Sequence, residues 1–315
     1  MPCHSDAQFI TVATSGGVEI SADAKGPVSF FNSPYFSHEC ASAIDVYSQP
    51  CKDDALSPVD GILIEKRMVH TPYPRHFQCS GLEHLLIIQS SQRRDLFVRI
   101  LHANSSLEVG DRVRVGEFIG KLVRSGFFDF WTEKHLHVEV RGLGNLVRAK
   151  GSLTIAPNLP DGEVEGEALV RCPYLRVVRC FRDYVLAEAL EGTVSLGLFL
   201  GFGCSVRGKV GLLDGGIPHY GFGGVVFSRG EKVEAGDPVT LWGMMVGRVS
   251  AVYDGMAVFR SYPLSVELDG HRLHGLSFYL WQRPPLLKLI PKMPMESYTL
   301  FQEGDKLEVS LRRIH

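Results

Sequence analysis

The amino-acid sequence predicts a mainly β protein made of two β-rich domains, and three observations carry that expectation. Glycine (33) and proline (17) punctuate short runs rich in Val, Ile, Leu and Phe. Hardly any stretch has the i, i+3, i+4, i+7 apolar spacing of an amphipathic helix. The chain, at 315 residues, is longer than one core usually organises, since domains run to ~100–200 residues. A content of 45% hydrophobic and 22% charged residues is that of a folded globular protein.

In chain order, residues 1–27 read as an N-terminal segment packing on the core, residues 28–145 as the first domain, 146–165 as a linker and 166–315 as a second β-rich domain of undefined role. Strands are expected over Gly61 to Arg67, His84 to Gln89, Leu96 to His102, Glu117 to Val123 and His135 to Arg141. Strand signals then lapse across Ala156-Pro157-Asn158-Leu159-Pro160-Asp161-Gly162, which sets the boundary. They resume at Tyr184 to Leu190 and Gly224 to Ser228, between turns such as Gly201-Phe202-Gly203. Pro284-Pro285 through Pro294 reads as an extended surface segment. Tyr220, Phe222, Trp242, Phe278, Tyr279 and Trp281 fit either a recognition surface or core packing. One short echo links the halves, Glu108-Val109-Gly110-Asp111-Arg112-Val113 and Glu234-Ala235-Gly236-Asp237-Pro238-Val239.

Composition excludes several function classes. The formal net charge is −2 and the Lys and Arg residues are scattered, so no basic stripe offers a nucleic-acid footprint. Met1 to Glu19 lacks a charged-then-apolar leader pattern, and no later run is apolar enough to span a bilayer, which leads to an expected cytoplasmic location. The seven cysteines (3, 40, 51, 79, 172, 180 and 204) form no C-x-x-C pair and suit neither a disulfide framework nor a four-thiolate zinc knuckle.

The strongest local signal is Lys134-His135-Leu136-His137-Val138-Glu139-Val140-Arg141. Strict alternation turns Leu136, Val138 and Val140 to the core and His135, His137 and Glu139 to the other face, where two imidazoles on one rigid surface suit a metal ligand beside a base. Alone, His-x-His is equally a solvated strand face. Asp45 lies among β-formers in Ala43-Ile44-Asp45-Val46-Tyr47, and a charge in such a setting usually has a partner or a metal. His38 and Cys40 lie upstream, and His102 ends the run Leu96 to Leu101 before a polar turn. His271-Arg272-Leu273-His274 has ligand residue types but no acidic or thiol partner nearby.

In this order the pieces resemble the lysostaphin/LytM-type zinc metallopeptidases over about a hundred residues. The shared features are an Ile-Asp-Val strand (Ile44 to Val46), a Ser-Pro-Val-Asp-Gly turn (Ser57 to Gly61) and a strand ending in His102. They continue with a Val-Gly-Asp-x-Val-x-x-Gly-x-x-Ile-Gly stretch (Val109 to Gly120) and His-Leu-His-x-Glu-Val-Arg (His135 to Arg141). The resemblance implies a barrel-sandwich hybrid β domain with a duplicated hybrid motif. It implies a zinc ion (Zn2+) on Asp45 and His137, with His102 and His135 unligated to move protons and steady an oxyanion. The substrate it implies is a peptide or peptide-containing polymer cut by a metal-activated water. The sequence departs from the family at the third ligand. A His usually precedes the Asp by four positions, but here Ala41 stands there, leaving His38, seven before, with Cys40 as rival.

Two other classes remain. A LytM-like binding or regulatory module without catalysis fits the altered His38 spacing. A phosphoryl carrier similar to sugar-transport IIA domains shares the Ser-Pro-Val-Asp-Gly and Gly-Asp turns, but does not account for Asp45 followed by His-Leu-His.

Overall fold

The computed structural model describes residues 7–48, 52–73, 75–148, 150–159, 161–294 and 300–314. Cys3, Cys51 and Pro160, singled out above, lie outside them, as does the start of the N-terminal segment. The chain is mainly β and forms two compact units: residues up to Val28 with Phe36–Asn158, and Ser29–Tyr35 with the residues from Leu159 onward. Among the described residues, no helix is long and apolar enough to cross a membrane.

In the first unit, β1 (Phe9–Ser15) and β2 (Val18–Asp23) form an antiparallel pair, followed by β3 (Val28–Ser29), a single helical turn α1 (Phe36–Glu39) and β4 (Ile44–Tyr47). Next come β5 (Asp54–Leu56), β6 (Gly61–His70), β7 (Leu82–Ser90), β8 (Leu96–Ser105), β9 (Arg112–Val113), β10 (Phe118–Leu122), β11 (His135–Gly142) and β12 (Ala156–Pro157). The main sheet runs β3-β4-β11-β8-β7-β6-β9, and β10 bridges β8 to β5.

Strand β11 is central, between β4 and β8, and every residue from His135 to Arg141 is buried. The alternation read from the sequence is therefore real, but its histidine face is enclosed rather than solvated. Strand β8 pairs with β11 as far as Leu101 and with β10 from Ala103 on. His102, at the changeover, has φ 73°. Its pairing with β7 shifts register there, so the kink re-aims the imidazole out of the regular ladder.

Two segments differ from the sequence reading. Ser29–Tyr35, expected in the first domain, belongs to the second unit. There the buried Asp214 carboxylate accepts from Ser29 Oγ and the Phe30 amide, both at 2.6 Å. Phe31 fills the space a side chain on Gly224 would need, a Cβ there falling 2.0 Å from its ring. The expected linker over 146–165 contains β12, which pairs with β1 and so ties the end of the first unit to its beginning.

The second unit's strands form one 14-stranded antiparallel sheet. Six of them close into a barrel, because Phe199–Val206 pairs with both Pro238–Leu241 and Lys209–Ile217, and the ring is completed by Met244–Tyr253, Met256–Ser261 and Phe222–Val226. Leu286–Ile290 is a largely buried strand of this sheet rather than an extended surface segment, because it pairs with Val185–Ala189 on one edge and Gly275–Phe278 on the other and residues 287–290 are all buried. Phe222, Trp242, Phe278, Tyr279 and Trp281 are all buried, which makes them core rather than a recognition surface.

The echo between the halves is a repeated turn, and it has a third copy at Gln302-Glu303-Gly304-Asp305. In each, an Asp carboxylate caps the amide three residues back: Asp111 to Glu108 at 2.8 Å, Asp237 to Glu234 at 2.9 Å and Asp305 to Gln302 at 2.7 Å. The glycine before each Asp has φ near +100°, namely 103°, 93° and 95°, a region that glycine adopts without a Cβ clash.

Candidate metal centre

Three side chains from three elements converge inside the first unit. His38 comes from α1, Asp45 from β4 and His137 from β11; His38 and Asp45 are completely buried and His137 nearly so. His38 Nε2 lies 3.2 Å from Asp45 Oδ1 and 3.1 Å from His137 Nδ1, and His137 Nδ1 lies 3.1 Å from Asp45 Oδ1. The register puts Asp45 directly opposite His137 across the β4–β11 ladder.

The seven-residue spacing from His38 to Asp45 is absorbed by α1 and its ending. The Ala41 amide bonds the His38 carbonyl at 3.1 Å and the Ser42 amide bonds the Ser37 carbonyl at 2.7 Å. With Ala41 at φ 50°, this is a Schellman closure. The chain then doubles back into β4, so the three extra residues are a helical turn that returns the His38 imidazole to the aspartate. His38, not Cys40, joins the triad.

Supporting carboxylates surround it. Glu139 Oε1 lies 2.8 Å from His137 Nε2, and since a carboxylate only accepts, that nitrogen carries the proton and Nδ1 faces the triad. Arg99, Arg141 and Ser152 also donate to Glu139. Burial opposes ionisation of Glu139, but His137 and the two guanidinium groups outweigh it and hold its pKa far below the usual range. Burial likewise opposes the charge on Asp45, yet His135, His38 and His137 depress its pKa strongly. Burial disfavours charged His137, but the bonds to Asp45 and Glu139 prevail and raise its pKa to about 9.

Next to the triad stand His102 and His135. His102 donates Nδ1–H to Glu83 (3.0 and 3.1 Å), a fully buried carboxylate on β7. Burial opposes the Glu83 charge, but His102 and Ser125 lower its pKa. His135 donates Nδ1–H to the Glu133 carbonyl at 2.8 Å, leaving Nε2 3.4 Å from Asp45 Oδ2. Burial, reinforced by His102 and His137, pushes the His135 pKa down to about 3, so its ring is neutral. Phe128 stacks on His135 (centroids 4.7 Å apart, 18° between planes) and meets His102 edge-on at 4.7 Å.

The donor set fits a tetrahedral ion. Ligand atoms ~2.0–2.1 Å from such an ion lie ~3.3–3.4 Å apart, close to the observed triangle. Asp45 Oδ2 is buried and makes no hydrogen bond, and the Glu139 contact is the outer carboxylate that metal-binding histidines commonly have. Among the described residues this is the one group of metal-binding side chains so arranged, and His271 and His274 belong to no such group. Glu83 and Phe128 were missed in the sequence. The signal for Glu83 was a charge heading the apolar run Leu85 to Ile88; nothing local marked Phe128.

No curated protein and no solved structure matches the chain. Residues 20–157 match the Domain of unknown function (DUF8155) N-terminal domain. Residues 175–312 match the DUF8155 C-terminal domain. The first match contains the triad and the His102–His135 pair, and with both domain models found in order, the chain belongs to the DUF8155 family.

Proposed function

We propose that the first unit is a zinc-dependent hydrolase of peptide or amide bonds, similar in its site to the lysostaphin/LytM-type metallopeptidases. The observation that carries this reading is the triangle of His38 Nε2, Asp45 Oδ1 and His137 Nδ1, with 3.1–3.2 Å edges. These three residues would hold the ion. When bound, zinc supplies Lewis acidity and lowers the pKa of water in its open position toward ~7.

The remaining work falls to the chain. Glu139 fixes the His137 tautomer and ring orientation. Glu83 fixes His102 with Nδ1 protonated, leaving Nε2 as the base that takes a proton and returns it to the leaving amine. The Glu133 carbonyl does the same for His135, whose Nε2 beside Asp45 suits it to steady charge developing on the substrate carbonyl oxygen. Phe128 excludes water from both rings.

The test is elemental analysis of the purified protein and of His38→Ala, Cys40→Ala and His137→Ala, followed by peptide-cleavage screening. The reading expects about one zinc per chain, lost in His38→Ala and His137→Ala and kept in Cys40→Ala. No metal uptake at neutral pH with zinc supplied would sink it. The near-complete burial of the cluster under Phe128 favours a second reading, a metal-holding binding module without turnover. That reading expects zinc without cleavage.

A further inference from the structure

A second site lies in the first unit, away from the histidines. A groove of about 1120 Å3 is lined by Arg94 from the β7–β8 turn, Arg112 of β9 and Arg114 just beyond it, with Ser91, Asp60 and Glu117. Glu83 and Ser90 are seven residues apart on β7, so at ~3.3 Å per residue the groove, which Ser90 also lines, is ~23 Å from the Glu83–His102 pair.

The arginines of this unit are otherwise engaged. Arg67 pairs with Glu65, Arg75 with Asp129, Arg93 with Asp95, and Arg99 and Arg141 with Glu139. Arg124 donates to the Phe130 carbonyl. Among the described residues, the guanidinium groups of Arg94, Arg112, Arg114 and Arg148 have no such partner. Three of these four meet in one groove. Its carboxylates are not spare partners: Asp60 caps the Val115 amide at 2.7 Å and Glu117 caps the Arg114 amide at 2.8 Å.

We propose that this groove binds an acidic peptide segment. Guanidinium groups take carboxylates as two-pronged pairs, and a groove lined by three of them offers several such pairs to one acidic chain. A phosphodiester chain is the poorer fit. It needs dense positive charge along its whole length, whereas three arginines in a groove that also holds Asp60 and Glu117 offer a few separate cationic points. Peptide binding is independent of the zinc reading; that the bound peptide is also the substrate rests on it. At ~3.3–3.6 Å per residue, about seven extended residues would separate the acidic anchor from the cleaved bond.

The test is fluorescence anisotropy of the full chain with a labelled hexaglutamate peptide at low salt, with and without chelator. Saturable binding is expected, weakened about tenfold in Arg112→Ala/Arg114→Ala and in Arg94→Glu, unchanged in Arg148→Ala, and weaker at high salt. Because all the substituted side chains are exposed, the two groove variants check each other against misfolding. Binding that persists in chelator supports the groove whether or not the zinc reading holds. Absence of saturable binding, equal affinity in the groove variants, loss of binding in chelator, or tighter binding of a labelled polyphosphate of equal charge would overturn the assignment.

Discussion

The two units share strand composition and a repeated Gly-Asp turn, yet they bury different things. Among the described residues the first unit buries ten acidic or basic side chains (Asp, Glu, His, Lys or Arg), nine of them in or around the histidine cluster (His38, Asp45, Glu83, Arg99, His102, His135, His137, Glu139 and Arg141). The second buries three, Asp183, Asp214 and Lys288, and is otherwise organised around Phe202, Trp242, Phe259 and Phe278. Burying a charge costs several kcal/mol unless it is fully paired, so a core does not collect charges for stability alone. This difference is why the proposed chemistry is assigned to the first unit.

The sharpest way to break that comparison is to unpair the charges. Glu139→Ala leaves Arg99 and Arg141 buried without their carboxylate and should cost ~3–5 kcal/mol in denaturant unfolding while also weakening zinc binding. Phe278→Ala in the second unit should cost a similar ~3–5 kcal/mol through its cavity. Zinc content per folded chain should be unchanged by it; a loss would mean that the two cores are not separable. Glu83→Gln should retain zinc but lower kcat about 10- to 100-fold, because His102 loses the carboxylate that orients it. Equal loss of zinc and activity would instead make Glu83 a structural group.

Acidity acts on the first unit through His137. His137 has a raised pKa, so below about 9 a metal must displace its proton. Zinc affinity should therefore fall by about tenfold per pH unit as pH drops below that value, seen by competition with a chromophoric chelator. Protonation of His137 works the other way on the metal-free protein. Its stabilising contribution is fully present below the unfolded pKa of ~6.5 and is lost as pH rises through about 9. The smallest expected effect is one in which the units agree. Gly110→Ala and Gly236→Ala meet no neighbouring atoms but have positive φ, so each should cost about 1 kcal/mol, read from the thermal midpoint. Unequal costs would indicate that the two turns carry different loads.

The sequence by itself determined what is local. The alternation from His135 to Arg141 specifies β11, and the Gly-Asp pairs specify turns because glycine alone enters that backbone region cheaply. Asp45, His102, His135 and His137 were legible because polar side chains interrupted apolar strand patterns. Only the tertiary structure decided what depends on neighbours distant in sequence. It decided that both faces of β11 are enclosed, since the residues covering them come from elsewhere in the chain. It selected His38 over Cys40 through the closure of α1 at Ala41. It brought Glu83 to His102 across nineteen positions and Phe128 onto His135, and it gave Ser29–Tyr35 to the second unit through Asp214. Each of these is a pairing of groups far apart in the chain, and local pattern carries no record of which distant partner a side chain will meet.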